Sequence, residues 1–318
     1  MKVLVTDKSA DEALQLLKDA GHEVTYEEMD HEKLLKEIGK YDALMVRGRT
    51  KVVTDIVNAG AKGNLKVIGR AGIGVDNVDI ETAGKHGIPV VNAPTGATAS
   101  VAELAIAHML TLSRNIAKAD RTMKTGEWAK KQLKGIELKD KTLGLIGTGN
   151  IGRLTGRLAQ CFEMKIIGYD PYISKEDMAK DGIEKIEKLE ELMSRSDFIS
   201  LHLPHTPKTH YIVNDEMISK MKSTAYLINC ARGGTVDEKA LYNALKNGKI
   251  AGAGMDVFEQ EPPKDNPILQ LDNVVLTPHI GASTKEGQIR AGTICAEQIN
   301  KVLAEKEADY CVNKKFLK

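Results

Sequence analysis

Short apolar runs rich in valine and isoleucine alternate with helical patterns along the whole chain. The first runs predict strands at Val3–Thr6, Ala43–Val46, Lys66–Ile68 and Pro89–Val91. Such runs, separated by helices, are typical of parallel strands that are buried on both faces and joined by crossover helices. The alternation therefore predicts an α/β fold built on parallel sheets.

A second series of strands continues the pattern. It is predicted at Leu143–Ile146, Lys165–Tyr169, Phe198–Leu201, Tyr226–Ile228, Ala253–Val257 and Val274–Leu276. At 318 residues the chain exceeds the size at which one core usually keeps growing, so two domains are expected. We therefore assign the two series of strands to two separate sheets.

Three helices carry recognisable boundary signals. Ser9 and Glu12 have the spacing of a capping box at the start of a helix over Ala10–Ala20, and Ser100 and Glu103 have the same spacing at the start of a later one. The later helix is expected to cross between the domains. A last helix is predicted from Thr284 to about Leu303, and the charged residues from Glu184 to Glu191 are interpreted as a solvated helix face.

The composition excludes several functional classes. Basic and acidic residues nearly balance at a net charge of +1, and aromatic residues make up only 4%, so nucleic acid is not an expected partner. The four cysteines are scattered without a close pair, which favours thiols in the reducing cytoplasm over a disulfide framework. No stretch is apolar for the roughly 18 residues that a membrane helix requires, so no membrane partner is expected.

The most informative motif is Gly147-Thr148-Gly149-Asn150-Ile151-Gly152, which follows a predicted strand and precedes a helix that runs to about Phe162. In a strand–loop–helix unit, Gly147 permits the tight turn, Gly149 allows a pyrophosphate to approach the backbone, and Gly152 allows the helix to pack on the strand. The competing interpretation is a structural turn, since glycines also pair at Gly72-Ile73-Gly74 and Gly252-Ala253-Gly254 without this context. The context favours dinucleotide binding.

Asp170 lies 18 residues after Gly152, at the end of the next predicted strand. A carboxylate there accepts hydrogen bonds from the ribose hydroxyls of a dinucleotide and repels a 2′-phosphate. The adjacent Pro171-Tyr172-Ile173 contains no arginine that would neutralise such a phosphate. The sequence therefore predicts NAD, rather than NADP, as the cofactor.

Three further segments carry a resemblance to a known family. They are Asn229–Asp237, Met255–Pro263 and Thr277–Ser283, and they resemble the signatures of the D-isomer-specific 2-hydroxyacid dehydrogenases. The resemblance to this family extends over essentially the whole chain. Gly69–Asp79 and Gly281–Glu286 are most similar to the phosphoglycerate dehydrogenase branch of that family. The resemblance implies oxidation of 3-phosphoglycerate to 3-phosphohydroxypyruvate, a step of serine biosynthesis, with hydride transfer to NAD.

The resemblance places Arg232, Glu261 and His279 at the positions of the family's catalytic triad. The chemistry also calls for these residue types, because oxidising an alcohol requires a base for its hydroxyl proton and imidazole titrates near neutral pH. Glu261 would hold the imidazole and favour its charged form. Arg232 offers a planar fork of donors for the substrate's α-carboxylate.

The expected cofactor site extends beyond the glycine loop. By resemblance it includes Asn150, Ile151, Asp256 and Gly281, and Cys230 is interpreted as an apolar wall of the pocket rather than a nucleophile. His202, His205 and His210 lie close together in sequence, but no acid or cysteine completes a tetrahedral set. No metal is therefore expected.

The substrate's phosphate is assigned to arginines at the ends of the first strands. Arg47, Arg49 and Arg70 occupy positions similar to the substrate contacts of the phosphoglycerate dehydrogenases, and Gly72 and Gly74 are included in the same site. Ala97 departs from that branch, which often carries asparagine there. This departure bears on the choice of substrate and leaves the class of reaction unchanged.

The resemblance also implies a discontinuous domain layout and leaves alternatives open. A flavodoxin-like substrate domain is expected at residues 1–94 and 281–318, with a Rossmann NAD-binding domain inserted at 95–280, and similar proteins dimerise through the cofactor domain. A glycerate or hydroxypyruvate reductase, or another D-2-hydroxyacid dehydrogenase, is the alternative enzyme. An NAD-sensing corepressor-like binding protein is the alternative of another class.

Regulation gives a last expectation. Larger members of the phosphoglycerate dehydrogenase branch append a serine-binding domain, whereas the residues from Ala304 to Lys318 are too few to form a module with its own core. We therefore expect L-serine to leave the rate of this chain unchanged.

Overall fold

The computed structural model describes residues 1–317, which form two parallel sheets flanked by helices. The strands are β1 (Lys2–Val5), β2 (Glu23–Tyr26), β3 (Ala43–Val46), β4 (Val67–Arg70), β5 (Val90–Asn92), β6 (Thr142–Ile146), β7 (Lys165–Tyr169), β8 (Glu184–Lys185), β9 (Phe198–Leu201), β10 (Tyr226–Asn229), β11 (Gly252–Met255) and β12 (Val274–Leu276). This architecture confirms the predicted α/β class.

Helices connect almost all successive strands. They are α1 (Asp11–Asp19), α2 (His31–Glu37), α3 (Thr54–Ala61), α4 (Ile80–Lys85), α5 (Thr98–Ser113), α6 (Ile116–Lys124), α7 (Asn150–Gln160), α8 (Lys175–Lys180), α9 (Leu189–Arg195), α10 (Asp215–Ser219), α11 (Glu238–Lys246) and α12 (Lys285–Leu303). Short 3₁₀ helices occur at Ile38–Lys40, Lys130–Gln132, Pro267–Gln270 and Lys314–Phe316.

The chain divides into two compact units. The first consists of Met1–Thr98 together with the residues from Ala282 onward, and the second is the continuous segment Ala99–Gly281. The resemblance implied substrate and cofactor domains with boundaries at 94/95 and 280/281. Whether the two units carry those two roles stays a prediction.

The first unit contains a five-stranded sheet in the order β2-β1-β3-β4-β5, with every pair parallel. This is the order of flavodoxin-like folds, which bind ligands where the strand order reverses, between β1 and β3. Side chains alternate between the two faces of the strands, so each face forms its own core. Helix α12 covers one face with Cys295, Ala296 and Ile299.

The second unit contains a seven-stranded sheet in the order β12-β11-β10-β9-β6-β7-β8, again entirely parallel. Counted from β6, this is the doubly wound order of dinucleotide-binding folds with one further strand at the edge. The order reverses between β6 and β9, so the carboxyl ends of these strands mark the expected ligand position. The glycine loop directly follows β6.

Both predicted capping boxes are wrong. Helix α1 has Ala10 at its N-cap and therefore no side-chain cap, since Ser9 lies one residue before the cap, where its hydroxyl donates to the Asp7 carbonyl at 3.1 Å. Helix α5 begins at Thr98, so Ser100 lies inside its first turn. The last helix is correctly predicted: Thr284 caps α12 by accepting a hydrogen bond from the Gly287 N–H at 3.0 Å.

Two edge strands were missed. Strand β2 is only partly buried, so it lacks the continuous apolar run that indicates a buried strand. Strand β8 is two residues long and carries charged side chains. The charged segment Glu184–Glu191, interpreted as one helix face, therefore divides into β8, a short connection and the first turn of α9.

Candidate active site

The glycine loop Gly147–Gly152 connects β6 to α7. Gly147 has φ 92°, and a Cβ there would lie 2.5 Å from the His202 carbonyl oxygen, which follows β9. A Cβ at Gly152 would lie 2.2 Å from the Gly147 carbonyl oxygen. Glycine is therefore required at both positions, one for its backbone conformation and the other for the close approach of helix and loop.

Gly149 has a different environment, because a Cβ there would meet no atom within 4 Å. It is the N-cap residue of α7 and supplies no side-chain cap, and the next residue, Asn150, is also exposed. The N-terminus of α7 thus presents its backbone N–H groups to an open space that a dinucleotide pyrophosphate fits. Ile151 is half-buried beside this opening.

Asp170 directly follows β7 and is held by two backbone donors. One carboxylate oxygen accepts the Thr148 N–H at 2.9 Å, and the other accepts the Tyr172 N–H at 2.9 Å. The oxygen that accepts the Thr148 N–H also lies 3.5 Å from the Thr148 hydroxyl, whereas the oxygen that accepts the Tyr172 N–H can receive a second donor such as a ribose hydroxyl. The side chain is thereby fixed next to the glycine loop, as an NAD site requires.

Cys230 follows β10 and is buried. Burial, and secondarily the nearby Asp256 charge, raises the pKa of the Cys230 thiol. A thiol held neutral is a poor nucleophile, and this environment agrees with the role of an apolar wall.

Glu261 and His279, which follow β11 and β12, form a hydrogen-bonded pair of titratable groups in the second unit. His279 Nδ1 lies 2.7 Å from the Glu261 carboxylate, whose other oxygen accepts the Phe258 N–H at 3.1 Å. Because a carboxylate can only accept, Nδ1 carries the proton of this hydrogen bond and Nε2 is left for other chemistry. About half of the His279 side chain, 49%, is exposed, so a substrate can reach it.

Asp256 fixes the backbone on either side of His279. Its carbonyl oxygen accepts the His279 N–H at 2.8 Å, and its carboxylate accepts the N–H groups of Ile280 and Gly281, each at 2.8 Å. Asp256 is buried, and His279 has φ 52°. A positive φ is unfavourable for a residue with a side chain, so these three hydrogen bonds stabilise a strained backbone.

Arg232 lies in the turn that follows β10. The Asn229 side chain donates to the Arg232 carbonyl at 3.1 Å and accepts the Ala231 N–H at 3.0 Å, which fixes the turn. A Cβ at Gly233 would lie 1.9 Å from the Phe258 carbonyl oxygen. Because Gly233 has no side chain, the turn that carries Arg232 packs closely against the segment that leads to Glu261.

Arg47 and Arg49 lie in the loop after β3 in the first unit. The buried Asp7, which follows β1, accepts the Arg47 N–H at 2.6 Å and lies 3.3 Å from Arg49 Nε. The Asn77 side chain donates to the Arg47 carbonyl at 2.8 Å. Thr50 also donates to Asp7, at 2.6 Å, so the loop is held at the point where the order of the first sheet reverses.

Arg70 ends β4 and folds over the loop that follows. A Cβ at Gly72 would lie 1.5 Å from Arg70 Nη1, so glycine at this position is what accommodates the guanidinium group. Gly74 is half-buried in the same loop. The loop is anchored by the Asn92 side chain, which donates to the Ile73 carbonyl at 2.6 Å.

The three histidines that follow β9 are engaged with other side chains. His202 Nε2 lies 2.9 Å from the Ser200 hydroxyl, and burial lowers the pKa of His202 to about 3. His205 Nε2 and His210 Nδ1 lie 3.1 Å apart. Within residues 1–317, no group of three or more histidine, cysteine or acidic side chains could hold a metal ion.

The sequence interpretation missed Asp7, Thr277 and His108. Asp7 stands directly after β1, and the rule that ligands lie beyond the carboxyl ends of parallel strands could have identified it. Thr277 donates to Asp256 at 2.6 Å, and the buried His108 lies 3.1 Å from the Thr277 hydroxyl. No sequence signal connects these two residues, because they are 169 positions apart.

The doubly wound sheet, its glycine loop and the carboxylate after β7 define a dinucleotide-binding protein of the α/β class. Residues 106–281 match the model of the D-isomer-specific 2-hydroxyacid dehydrogenase NAD-binding domain. The chain belongs to this family, as its sequence motifs implied. No helix within residues 1–317 has the length and apolarity needed to cross a membrane.

Two curated relatives and one solved structure illustrate the similarity. The chain is 53% identical to D-3-phosphoglycerate dehydrogenase of Methanocaldococcus jannaschii over 98% of its own length, and it spans 59% of that relative. It is 49% identical to hydroxypyruvate reductase of Thermotoga maritima, with 95% of this chain and 98% of the relative covered. The structure of a glyoxylate reductase from Paecilomyes thermophila superposes with a TM-score of 0.89 at 28% identity, covering 99% of each chain.

Proposed function

We propose that this chain catalyses the NAD-dependent oxidation of D-3-phosphoglycerate to 3-phosphohydroxypyruvate and the reverse reduction. The contact between His279 Nδ1 and Glu261 at 2.7 Å is the observation that carries the proposal, because it leaves Nε2 as the proton-transferring nitrogen. The similarity to D-3-phosphoglycerate dehydrogenases over nearly the whole chain supports this choice of substrate.

The residues of the second unit divide the work of the reaction. His279 Nε2 takes the proton from the substrate's 2-hydroxyl during oxidation and returns it during reduction. Glu261 stabilises the imidazolium formed in between, and Arg232 clamps the α-carboxylate through its planar fork of donors. NAD, when bound, supplies the hydride acceptor, and Gly147–Gly152 with Asp170, Cys230, Asp256 and Gly281 would hold it.

We assign the phosphate of the substrate to Arg47, Arg49 and Arg70. Each follows or ends a strand at the carboxyl edge of the first sheet, and Arg47 and Arg49 stand where the strand order reverses. Guanidinium groups bind phosphate oxygens through two parallel hydrogen bonds, which favours arginine over lysine for this task. Gly72 and Gly74 shape the loop on which Arg70 lies.

Hydroxypyruvate reduction is the second candidate. It is supported by the relative from Thermotoga maritima, which this chain matches over almost the full length of both proteins. The structure offers one reason to consider it: Arg49 lies 3.3 Å from Asp7 and 3.8 Å from Glu28, so part of its charge is already neutralised within the protein. A substrate without phosphate would need fewer arginines.

Substrate choice is tested by following NADH absorbance with phosphorylated and unphosphorylated acids. The unmodified chain should prefer 3-phosphoglycerate and 3-phosphohydroxypyruvate over glycerate and hydroxypyruvate. Each charge-assisted contact stabilises a complex by about 1.5–3 kcal/mol, so Arg70→Ala should raise KM for the phosphorylated acids at least several-fold and leave glycerate little changed. Equal use of the two substrate classes would support the reductase instead.

The same assay addresses the corepressor-like alternative. A binding protein of that kind would bind NADH with negligible turnover of every 2-oxo acid offered. NADH binding is measured separately by its fluorescence, so loss of turnover with retained binding distinguishes that role from a misfolded sample.

We further propose that two copies associate through the second unit. Its α6 region exposes Ile116 by 50%, Met123 by 55% and Trp128 by 76% of their surface. Ile116 and Met123 are seven residues apart and therefore share one face of α6. Clustered exposed apolar side chains of this kind are typical of protein interfaces.

Sedimentation velocity tests the association. The unmodified chain should sediment as a dimer, and Trp128→Glu should shift it toward monomer by placing a charge at the apolar surface. Tyr172→Glu is the matched control, since Tyr172 is equally exposed, at 80%, but follows β7. A monomer at all concentrations would contradict the proposal.

We also place the protein in the cytoplasm, on the strength of its four free thiols, of which Cys161 is exposed. Fractionation of cells that express it, with detection of the chain in the soluble cytoplasmic fraction, tests this placement.

A further inference from the structure

Helix α5 carries a buried histidine that the proposed mechanism does not use. His108 is 2% exposed and packs against β11, where a Cβ at Gly254 would lie 2.5 Å from its Nδ1. Burying an imidazole in a tightly packed site costs free energy unless the ring makes hydrogen bonds. Gly254 has no side chain and so leaves room for the His108 imidazole. The hydrogen bonds of this buried ring then show what it does.

A chain of hydrogen bonds connects His108 to the backbone around His279. His108 Nε2 lies 3.1 Å from the Thr277 hydroxyl, and this hydroxyl lies 2.6 Å from a carboxylate oxygen of Asp256. The same Asp256 oxygen accepts the Ile280 N–H at 2.8 Å. All these residues belong to the second unit.

The direction of each hydrogen bond follows from the available protons. The Asp256 carboxylate can only accept, so the single proton of the Thr277 hydroxyl is donated to it. The hydroxyl oxygen is then an acceptor, and His108 must donate from Nε2. Nδ1 has no hydrogen-bond partner in residues 1–317, which fits a neutral ring without a proton there. Burial lowers the pKa of His108 and so favours the neutral ring, although Asp256 acts in the opposite direction.

The series of hydrogen bonds ends at the strained backbone of the candidate active site. Asp256 holds the N–H groups of His279, Ile280 and Gly281 through its carbonyl and carboxylate oxygens. His279 has φ 52°, a conformation that persists only where the surroundings impose it. Thr277 and His108 orient the Asp256 carboxylate. A carboxylate held in this way can impose the positive φ on His279 better than one that is free to rotate.

We propose that His108 is a positioning residue, acting through Thr277 and Asp256 to hold the backbone of His279 in the geometry that proton transfer requires. This inference rests on the proposed function, because it assigns His279 the role of acid and base. The inference adds the requirement that His108, which is far from His279 in the sequence, carries its proton on Nε2.

Two substitutions interrupt the series of hydrogen bonds at different positions. His108→Leu removes the donor to Thr277, and Thr277→Val removes the hydroxyl while keeping the shape of the side chain. Each should lower kcat roughly tenfold, because small displacements of a catalytic group have large effects on rate, while KM changes less than twofold. The double variant should be no slower than the slower single variant, because both act through one chain.

Two further variants separate positioning from simple packing. His108→Gln keeps a side-chain N–H in the place of Nε2 and should restore most of the kcat lost in His108→Leu. Met109→Leu changes another fully buried side chain on α5 without altering the hydrogen bonds, and its kcat should equal that of the unmodified chain. Equal loss of kcat in the Leu and Gln variants of His108, or additive losses in the double variant, would overturn the proposal.

Measurements without turnover keep this test independent of the proposed reaction. Nitrogen NMR of histidine-labelled protein should show His108 with a protonated Nε2 and a bare Nδ1, unchanged between about pH 5 and 8, the range in which an ordinary histidine titrates. Hydrogen exchange of residues 277–281 should be faster in His108→Leu than in His108→Gln. A protonated Nδ1, or equal exchange in both variants, refutes the inference even if the unmodified chain has no dehydrogenase activity. Absence of activity with the expected NMR and exchange results would refute the proposed function alone.

Discussion

At the scale of single residues, the decisive feature is an imidazole with one nitrogen occupied and the other available. Glu261 holds His279 Nδ1 at 2.7 Å and leaves Nε2 available, so His279→Ala removes the nitrogen that we propose transfers the proton. We expect kcat to fall by roughly 10² or more, since that is the usual contribution of general acid–base catalysis. Stopped-flow or steady-state kinetics in both directions measure the loss.

NADH affinity is the control for His279→Ala. The glycine loop and Asp170 lie on other elements, after β6 and β7, so the dissociation constant for NADH should change little. Near-normal turnover would show that His279 is not the acid and base.

A second prediction at this scale concerns Asp170 and cofactor choice. Its carboxylate is held by the N–H groups of Thr148 and Tyr172 and would repel a 2′-phosphate. Asp170→Ala should therefore raise KM for NAD and lower the ratio of NAD to NADP turnover. An unchanged ratio would mean that another group recognises the ribose.

The candidate site was predictable only as far as its residues belong to contiguous motifs. Gly147, Gly149 and Gly152 stand in one loop, so sequence spacing alone indicates their roles. His108 gives no such signal, since its role depends on the packing of α5 against β11. Whether a buried histidine contacts a hydroxyl or only apolar groups is decided by tertiary structure and is not visible in local sequence.

At the scale of elements, most strands were predicted almost to the residue, whereas the two predicted capping boxes were wrong. Strands β3, β7, β9 and β12 match their predicted bounds because each is a short run dominated by apolar residues. The capping box at Ser9 failed because α1 begins one residue later than the box requires, so that Ala10 and not Ser9 stands at the N-cap.

Asp197 connects three strands, and this predicts a pH-dependent stability. Its carboxylate lies 2.8 Å from Lys222 Nζ and accepts the N–H of Thr142 at 2.8 Å, while its backbone pairs with Thr142 and Tyr226. Burial alone would raise the pKa of Asp197, but the hydrogen bonds from Lys222 and Thr142 outweigh it and lower the pKa below its usual value. The ionised form is therefore the one that stabilises the fold.

Asp197→Asn should lower the free energy of unfolding at pH 7 by about 1–2 kcal/mol, a value reduced because Lys222 is partly exposed. The stabilising effect is present above the unfolded-state pKa of about 3.9 and is lost as the pH falls through the lower folded-state pKa, so the difference should shrink in acid. Urea unfolding at several pH values measures it. Asp177→Asn, which breaks an exposed pair with Lys180, is the control and should change the free energy of unfolding less. A difference between Asp197→Asn and the unmodified chain that does not vary with pH would contradict this account.

At the scale of the whole molecule, the two units should respond differently to the cofactor. All the residues proposed to hold NADH lie in the second unit. At about 100 times its dissociation constant, NADH should raise the free energy of opening of amides in β6 and β9 by up to about 2.7 kcal/mol. Amides of β1 and β3 should change much less. Hydrogen exchange with mass spectrometry compares the two sheets in one experiment, and equal protection of both would contradict separate responses.

The return of α12 to the first sheet has a consequence for synthesis on the ribosome. Strands β1–β5 emerge first, yet one face of their sheet is covered only by α1 until Cys295 and Ile299 of α12 have been made. The intervening segment Ala99–Gly281 takes roughly ten to forty seconds to translate at about 5–20 residues per second. The unit whose strands emerge second can therefore complete its fold first. During that interval the nascent first unit exposes apolar surface of the kind that makes incomplete folds prone to aggregation.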